Sequence, residues 1–478
     1  MQQSKLIDLF KTFSPQELKR LEDYLHSPIH NQSLRCQELF GLIKPYFGDL
    51  THIGLAKENI FAQLFPKKKK FDNSLSVLMA QLTKLVQDFL VFLKFEEDKG
   101  LQAHWLLSSL MERNLDKHFL RTWKLAEKGQ IKTPLKKVNY YYNQYLLTLN
   151  KYQYDIGLQK KLSKIDIDQI LHDLDLFHLI GQLKYYGALA NFQRVLPQKT
   201  IPPIPIEAIN HIIETRQWQQ IPLVQLHHTT LMLLLLSEDS SHFFRLKSFL
   251  QSPISAQVAP NDLHDAYALA LNYCTQKIVR GEESYRQEMF DLYKSMISQE
   301  LLYQGGYLSH RKLKNVVSLG VRLQEFEWTK KILKQYLPYI NPTFSELVGH
   351  FAWGTIYYYQ QEYNKAMPHL LQVSSLDIYY AIDARALLLK SYYELNQTPE
   401  LLDLEKSFKS FIKSQRELSN SRKNAYIHFV KFLVILYRIQ HKQLKSRKSL
   451  KVLKEDLEST EIISDKQWLM NKITLLEK

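Results

Sequence analysis

The chain of 478 residues carries 63 Lys and Arg against 48 Asp and Glu, which gives it a formal net charge of +15. Apolar residues make up 45% and charged residues 23%, a balance that excludes intrinsic disorder as the dominant state. Only 14 glycines and 16 prolines are present. Because β-sandwiches and barrels need both residues at their many turns, the composition predicts an all-α protein.

Cysteine usage and hydropathy bear on the cellular compartment. Cys36 and Cys274 form no CxxC pair, which favours a reducing compartment over a disulfide framework or a zinc site. The N-terminus lacks the charged-then-apolar run of a secretory signal. Uninterrupted apolar stretches such as Leu231–Leu236 are far shorter than the roughly 20 residues of a membrane span. We therefore expect a cytoplasmic protein with no membrane span.

Helical patterns dominate the N-terminal part of the chain. Apolar residues at i, i+3, i+4 and i+7 within Leu6–Phe13 predict a first helix. Ser14–Glu17 is a capping box with Pro at the first helical position, so a second helix begins there and ends at Ser27-Pro28. No segment shows convincing strand alternation. Further helices are predicted at about 34–47, 55–65, 73–97, 101–113, 116–128, 135–153 and 167–195.

A proline-rich stretch suggests a boundary. Four of the sixteen prolines fall within Pro197–Pro205, where they prevent helix and favour an extended connector. This predicts an N-terminal helical region over 1–196, a connector over 197–205 and a C-terminal helical region over 206–478. A long surface loop inside one continuous array is the alternative. Beyond the connector, helices are expected at 206–217, 221–236, 240–251, 261–280 and 284–302, and onward to the C-terminus. Gly305-Gly306 is predicted to end the helix at 284–302.

Three related segments in the C-terminal half indicate a repeat. Val317–Thr329, Gly354–Ala366 and Leu389–Leu401 recur at offsets of 37 and 35 residues. The middle segment resembles the tetratricopeptide repeat, a family of stacked helical hairpins with a period of about 34 residues. The resemblance covers about residues 310–415 and implies an α-solenoid. The resemblance rests on a small–aromatic–aromatic–small order of residues and on paired tyrosines. The residues concerned are Trp353, Gly354, Tyr357, Tyr363, Ala366, Tyr392 and Tyr393.

The resemblance implies a packing role for these residues. A small residue such as Gly354 lets two antiparallel helices approach, and aromatic residues fill the groove between neighbouring pairs. In the third segment Leu389 stands where the family has a small residue. The whole chain also resembles an uncharacterised family of bacterial helical proteins, through Asn272–Glu282 and Ala384–Glu394 among other segments. That resemblance implies a helical fold and no activity.

No catalytic or cofactor-binding motif is present in the sequence. It contains no GxGxxG or GxxxxGK[ST] loop, no HExxH and no Gly-x-Ser-x-Gly elbow. His172, Asp175 and His178 lie near one helix face, but a metal ion would need further ligands that the sequence does not offer. We therefore predict no catalytic residue, no metal site and no cofactor.

Positive charge is concentrated in residues 406–451, which contain thirteen basic residues and one acid, Glu417. Helical spacing predicts one stripe made of Lys406, Lys409, Lys413 and Arg416. It predicts a second stripe of Lys431, Arg438, Lys442 and Lys445, opposite an apolar face formed by Phe429, Phe432, Leu433 and Leu436. Such a segment is typical of a docking surface for an acidic protein or for phosphates. A solvated face without a dedicated role is the alternative. The candidate partner-binding residues are Lys406, Lys409, Lys413, Arg416, Arg422, Lys423, Lys431, Arg438, Lys442 and Lys445.

Three functional hypotheses follow, in order of preference. The first is a non-enzymatic scaffold that binds another protein, acidic in its charge, on a concave helical surface through tyrosines and basic residues. The second is a nucleic-acid-binding protein that uses residues 406–451. The third is an enzyme whose site no motif reveals. Runs such as Tyr140–Tyr142 and Tyr357–Tyr359 are interpreted as core packing, with a peptide-binding groove as the alternative.

Overall fold

The computed structural model describes residues 1–66, 73–133, 135–158, 166–195, 203–304, 306–441 and 446–477. Within these ranges the chain forms 23 α-helices and two strands of two residues, so the all-α prediction is confirmed. The helices are α1 (Lys5–Phe10), α2 (Pro15–His26), α3 (Leu34–Ile43), α4 (Lys57–Leu64), α5 (Ser74–Glu97), α6 (Lys99–Glu112), α7 (Asp116–Ile131), α8 (Val138–Gly157), α9 (Ile167–Val195), α10 (Ile206–Thr215), α11 (Pro222–Leu235), α12 (Ser240–Gln251), α13 (Pro260–Val279), α14 (Tyr285–Ser298), α15 (His310–Arg322), α16 (Phe326–Tyr336), α17 (Pro342–Tyr359), α18 (Tyr363–Leu371), α19 (Ile378–Glu394), α20 (Thr398–Ser414), α21 (Asn420–Gln440), α22 (Ser446–Ser459) and α23 (Lys466–Glu477).

The predicted capping box at the start of α2 is confirmed. The Ser14 hydroxyl accepts a hydrogen bond from the Glu17 backbone N–H at 3.2 Å. The Glu17 carboxylate in turn accepts one from the Ser14 backbone N–H at 2.8 Å. Two N–H groups that have no partner within the helix are hydrogen-bonded in this way. The hydrogen bond from the Ser14 backbone is the main cause that lowers the pKa of Glu17.

The segment after α14 differs from the prediction. Helix α14 ends at Ser298, and Glu300 then adopts the left-handed conformation with φ of 56°, while the Leu301 N–H bonds to the Met296 carbonyl at 2.8 Å. The chain next forms two antiparallel strands, β1 (Tyr303–Gln304) and β2 (Tyr307–Leu308). The prediction that Gly305-Gly306 ends this helix is therefore wrong, because the helix terminates several residues earlier.

The chain divides into two compact units: residues 1–185 with 206–209, and residues 186–205 with 210–478. Of the predicted connector over 197–205, residues 197–202 lie outside the described residues. Residues 203–205 have no regular secondary structure, and α10 begins directly after them.

In the first unit, the long helix α5 packs against α1, α2, α3 and α6. Its side chains Leu82, Val86 and Phe89 are fully buried in a core shared with α1–α4. A smaller cluster joins α6, α7 and α8, where the Phe119 and Tyr154 rings stack with centroids 4.0 Å apart.

In the second unit, consecutive helices form hairpins. Helix α15 packs against α16, α17 against α18, α19 against α20, and α21 against α22. The first helix of each hairpin also packs against the first helix of the next, from α15 through α17 and α19 to α21. A core cluster spanning α19–α23 includes the buried rings of Phe408, Phe429 and Tyr437.

Helix α5 is the one helix in the described part of the chain that is long and apolar enough to cross a membrane. Its most apolar stretch has a mean hydropathy of 1.4, and a third of that stretch is buried in the protein. Core helices of folded proteins meet the same length and composition test. Alone, this helix is weak evidence for a membrane span.

Candidate functional site

Three hairpins of the second unit share one turn geometry. Gln324, Gln361 and Asn396 each end the first helix of a hairpin in the left-handed conformation, with φ between 56° and 62°. In each turn the following residue donates its N–H to a carbonyl five positions back, as in the Glu362 bond to Tyr357 at 2.9 Å. These turns are separated by 37 and 35 positions, the same offsets that the sequence alignment uses.

Gly354 lies where α17 comes closest to α18. A β-carbon on Gly354 would lie 2.8 Å from both Cγ and Cδ2 of Leu370, and 3.3 Å from Cβ of His369. In the preceding hairpin, a β-carbon on Gly320 of α15 would overlap Oγ1 of Thr329. Both glycines therefore permit a close helix–helix approach, which is the role that the sequence interpretation assigned to a small residue.

The aromatic residues of the middle hairpin pack within and between its helices. Trp353 and Tyr357 lie one turn apart with ring centroids 5.9 Å apart, and Tyr357 reaches His369 of α18 at 5.7 Å. Tyr363 packs against the buried Tyr358 at 5.5 Å. Ala366 is fully buried. Trp353, Tyr357 and Tyr363 are half-buried, so each combines these packing contacts with a partly exposed edge.

The paired tyrosines of the third hairpin divide between core and surface. Tyr393 is buried, and its ring contacts Tyr437 and Trp468 at 5.7 and 5.3 Å. Burial raises the pKa of Tyr393 above 10, with the Glu394 carboxylate as a further cause. Tyr392 is half-buried and packs at the edge of the same cluster. Packing thus accounts for Tyr393, and Tyr392 keeps part of its surface exposed.

Several cations of the second unit are buried and paired with acids far away in the sequence. Lys390, 2% exposed, pairs with Asp465, which also lies 3.5 Å from the guanidinium of Arg322. Lys314, 8% exposed, pairs with Asp383 at 2.5 Å. Burial acts to raise the pKa of Asp465, but the two cations outweigh it and hold the pKa below its usual value.

The cations of α20 and α21 are different, because they are exposed. Side chains of Lys406 and Lys413 project from α20 on the side away from its buried Phe408, and Lys431 and Arg438 project from α21 in the same manner. None of these four has a carboxylate within ion-pair distance in the described part of the chain. The apolar side predicted opposite Lys431 and Arg438 on α21 is confirmed, since these four residues are buried: Phe429, Phe432, Leu433 and Leu436.

Not every predicted basic residue belongs to this set. Lys409 is half-buried and pairs with Glu405 at 2.6 Å, so its charge is compensated within α20. Arg416 does not continue the predicted stripe, because α20 ends at Ser414 and Gln415 turns the backbone to an extended conformation. Arg416 is nevertheless exposed. Lys442 and Lys445 lie outside the described residues.

Arg422 and Lys423 begin α21. The guanidinium carbon of Arg422 lies 4.6 Å from the centre of the Tyr379 ring, a cation–π contact that holds the side chain against α19. Lys423 is half-buried, and the described residues place no carboxylate within ion-pair distance of it. We call the exposed set Lys406, Lys413, Arg416, Arg422, Lys431 and Arg438 the unpaired basic residues of α20–α21.

A cavity of about 450 Å³ lies among α10, α11 and α12 of the second unit. It is lined by Asn210, His228, His242 and Arg245, among others. The Nε2 of His228 and the Oδ1 of Asn210 are 2.7 Å apart, and burial, with His242 and Arg245 nearby, lowers the pKa of His228. Among the described residues, no three His, Cys, Asp or Glu side chains are placed to hold a metal ion.

Comparisons with known proteins returned no relative: no protein-family model, no curated protein and no solved structure matches the chain. The class of protein is therefore defined by the structure itself. It is an all-α protein whose second unit contains successive helical hairpins.

Proposed function

We propose that the protein is a non-enzymatic, cytoplasmic scaffold that binds an acidic protein partner through the unpaired basic residues of α20–α21. We further propose that α15–α22 form a tetratricopeptide-like α-solenoid. Support for the solenoid comes from the shared turn of the three hairpins and from the packing of each first helix on the next. Stacked hairpins stabilise one another and leave extended helical surfaces exposed to partners.

The observation that carries the binding proposal is a contrast within the second unit. Buried cations such as Lys314 and Lys390 have carboxylate partners. The exposed cations of α20–α21 have none among the described residues. Charges left unpaired on a surface create a positive potential that attracts an acidic partner and speeds its association.

The chain as a whole is richer in lysine than in arginine, which favours an acidic protein over nucleic acid; the unpaired basic residues of α20–α21 are three lysines and three arginines. Of the 63 basic residues in the chain only 16 are arginines, and arginine is the residue preferred for bidentate contacts to phosphate. Lysine serves equally well as a point charge opposite glutamate or aspartate. Cys36 and Cys274 are both unpaired and buried, in keeping with a reducing compartment.

The test compares binding of a fluorescent polyglutamate peptide to the full chain and to two charge-reversed variants. The basic variant combines Lys406→Glu, Lys413→Glu, Lys431→Glu and Arg438→Glu. The control variant makes the same change of charge on α7 of the first unit. It combines Lys117→Glu, Arg121→Glu, Lys124→Glu and Lys128→Glu.

We expect the basic variant to bind the peptide about tenfold or more weakly, since four exposed ion pairs are lost, while the control variant retains binding. Equal affinity in the chain and the basic variant would refute the proposal. Random oligonucleotides are titrated in parallel at two salt concentrations. Tighter binding to oligonucleotides than to the peptide, abolished by the basic variant and steeply dependent on salt, would establish the nucleic-acid alternative instead.

A further inference from the structure

Helix α7 of the first unit has a second cationic face that is separate from α20–α21. One side of α7 packs into the α6–α8 cluster through Phe119, Trp123 and Ala126. The opposite side has four cations at spacing i, i+4, i+7 and i+11, and all four are exposed. These are Lys117, Arg121, Lys124 and Lys128, which we call the α7 cationic stripe.

The stripe has no compensating charge in the described part of the chain. None of its four cations has a carboxylate within ion-pair distance there. The two acids of α7 lie outside the stripe. Burial raises the pKa of Tyr154, with a hydrogen bond to Asp116 as a further cause, so the exposed Asp116 is directed at that hydroxyl, and Glu127 is half-buried. The stripe itself is therefore an uninterrupted row of four positive charges.

Apolar side chains flank the stripe and distinguish it from the residues of α20–α21. Leu120, Leu125 and Ile131 on α7 are 39%, 62% and 73% exposed. All three lie within one helical turn of a cation of the stripe, since Leu120, Leu125 and Ile131 follow Lys117, Arg121 and Lys128 by three or four positions. Large apolar side chains grouped on a surface are typical of a binding site.

We propose that the α7 cationic stripe and its apolar flanks bind the surface of an anionic lipid bilayer. Lysine and arginine pair with lipid phosphates, and leucine and isoleucine enter the boundary between headgroups and acyl chains. A nucleic acid would engage the cations but leave Leu125 and Ile131 in water, so the lipid surface fits more of the exposed face. The protein thus binds a membrane peripherally through its first unit.

The experiment measures flotation of the full chain with two kinds of vesicle: pure phosphatidylcholine, and phosphatidylcholine mixed with an equal part of phosphatidylglycerol. The stripe variant combines Lys117→Glu, Arg121→Glu, Lys124→Glu and Lys128→Glu. Its control is the matched reversal on α20–α21, with Lys406→Glu, Lys413→Glu, Lys431→Glu and Arg438→Glu. Far-UV circular dichroism verifies that both variants keep the helical fold.

The chain and the control variant are expected to float with the anionic vesicles and not with pure phosphatidylcholine. The stripe variant should partition at least about 100-fold more weakly. Leu125→Ser with Ile131→Ser keeps every charge, and it should weaken binding while leaving the salt dependence unchanged. Equal binding by the stripe variant, or a loss shared equally by the control, would overturn the proposal.

Two further results would also overturn it. If the serine variant binds like the chain, the apolar side chains do not enter the bilayer, and a purely electrostatic contact replaces the proposed one. If a random duplex oligonucleotide binds through the stripe while anionic vesicles do not, the ligand is nucleic acid. A negative result for vesicle binding does not change the expected result of the polyglutamate experiment, because the two proposals rely on different helices.

Discussion

Replacing Gly354 by alanine tests whether a small residue is what lets α17 and α18 pack. The new β-carbon would lie 2.8 Å from Cγ and Cδ2 of Leu370, well inside van der Waals contact. Overpacking of this kind costs about 1–3 kcal/mol. Alanine regains about 1 kcal/mol through its better helix propensity. We therefore expect Gly354→Ala to lower the free energy of unfolding by up to about 2 kcal/mol.

Gly349→Ala in the same helix is the matched control. Its β-carbon would lie 3.5 Å from Cδ2 of Leu337, an ordinary contact, so only the gain in helix propensity remains. We expect this variant to be about 0.5–1 kcal/mol more stable than the chain. Because the propensity gain is common to both variants, the difference between them isolates the overpacking at Gly354.

The assay is urea unfolding followed by far-UV circular dichroism, with the slope of the transition compared between variants. Repeating the comparison in a Leu370→Ala background tests whether the Leu370 side chain is the source of the overpacking. Leu370→Ala alone should cost about 2–5 kcal/mol, since Leu370 is 1% exposed, but it removes the atoms that clash. In that background Gly354→Ala should no longer destabilise. Equal stability of Gly354→Ala and Gly349→Ala would refute the reasoning. So would a loss of stability from Gly354→Ala that remains in the Leu370→Ala background.

The remaining predictions concern a turn, a histidine pair and a buried ion pair. Gln361→Gly should raise the free energy of unfolding by about 0.5–1 kcal/mol, because φ of 62° is unfavourable for a residue with a side chain; an unchanged urea midpoint would contradict this. Burial, with His350 as a second cause, lowers the pKa of His369. The unfolded chain therefore binds a proton at His369 at a higher pH than the folded chain does. As the pH falls below about 6.5, the free energy of unfolding should decrease. His369→Gln should flatten this dependence between pH 7.5 and 5.5, measured by urea unfolding, and an unaltered pH profile would exclude it. Lys390→Met should cost about 3 kcal/mol by leaving Asp465 short of a partner, and adding Asp465→Asn should recover part of that loss; a double variant no more stable than the single one would argue against the pairing.

Local features of the fold could be predicted because they depend on neighbouring residues. The capping box at Ser14 needs only Glu17 three positions on, and the bounds of α5 follow from one long apolar period. The offsets of 37 and 35 residues between the sequence segments equal the spacing of the turns at Gln324, Gln361 and Asn396. The end of α14 was missed because Glu300, rather than a glycine, takes the left-handed conformation there.

The candidate surfaces were predicted in part. A plain count of charge identifies residues 406–451, whereas the α7 cationic stripe was missed because nearby acids such as Asp116 and Glu127 dilute the local count. Its i, i+4, i+7, i+11 spacing was available as a signal. Arg416 was wrongly assigned to the stripe of α20, since periodicity alone does not show that α20 ends at Ser414.

The amino-acid sequence by itself determined that the chain is helical, where most helices begin and that charge is concentrated near the C-terminus. Only the tertiary structure decided which charges are free to bind. Lys390 and Asp465 are 75 positions apart, so their pairing arises from packing and leaves no local pattern. Composition counts every lysine alike, but a buried, compensated charge contributes to stability, and an exposed, unpaired one is left to attract a partner.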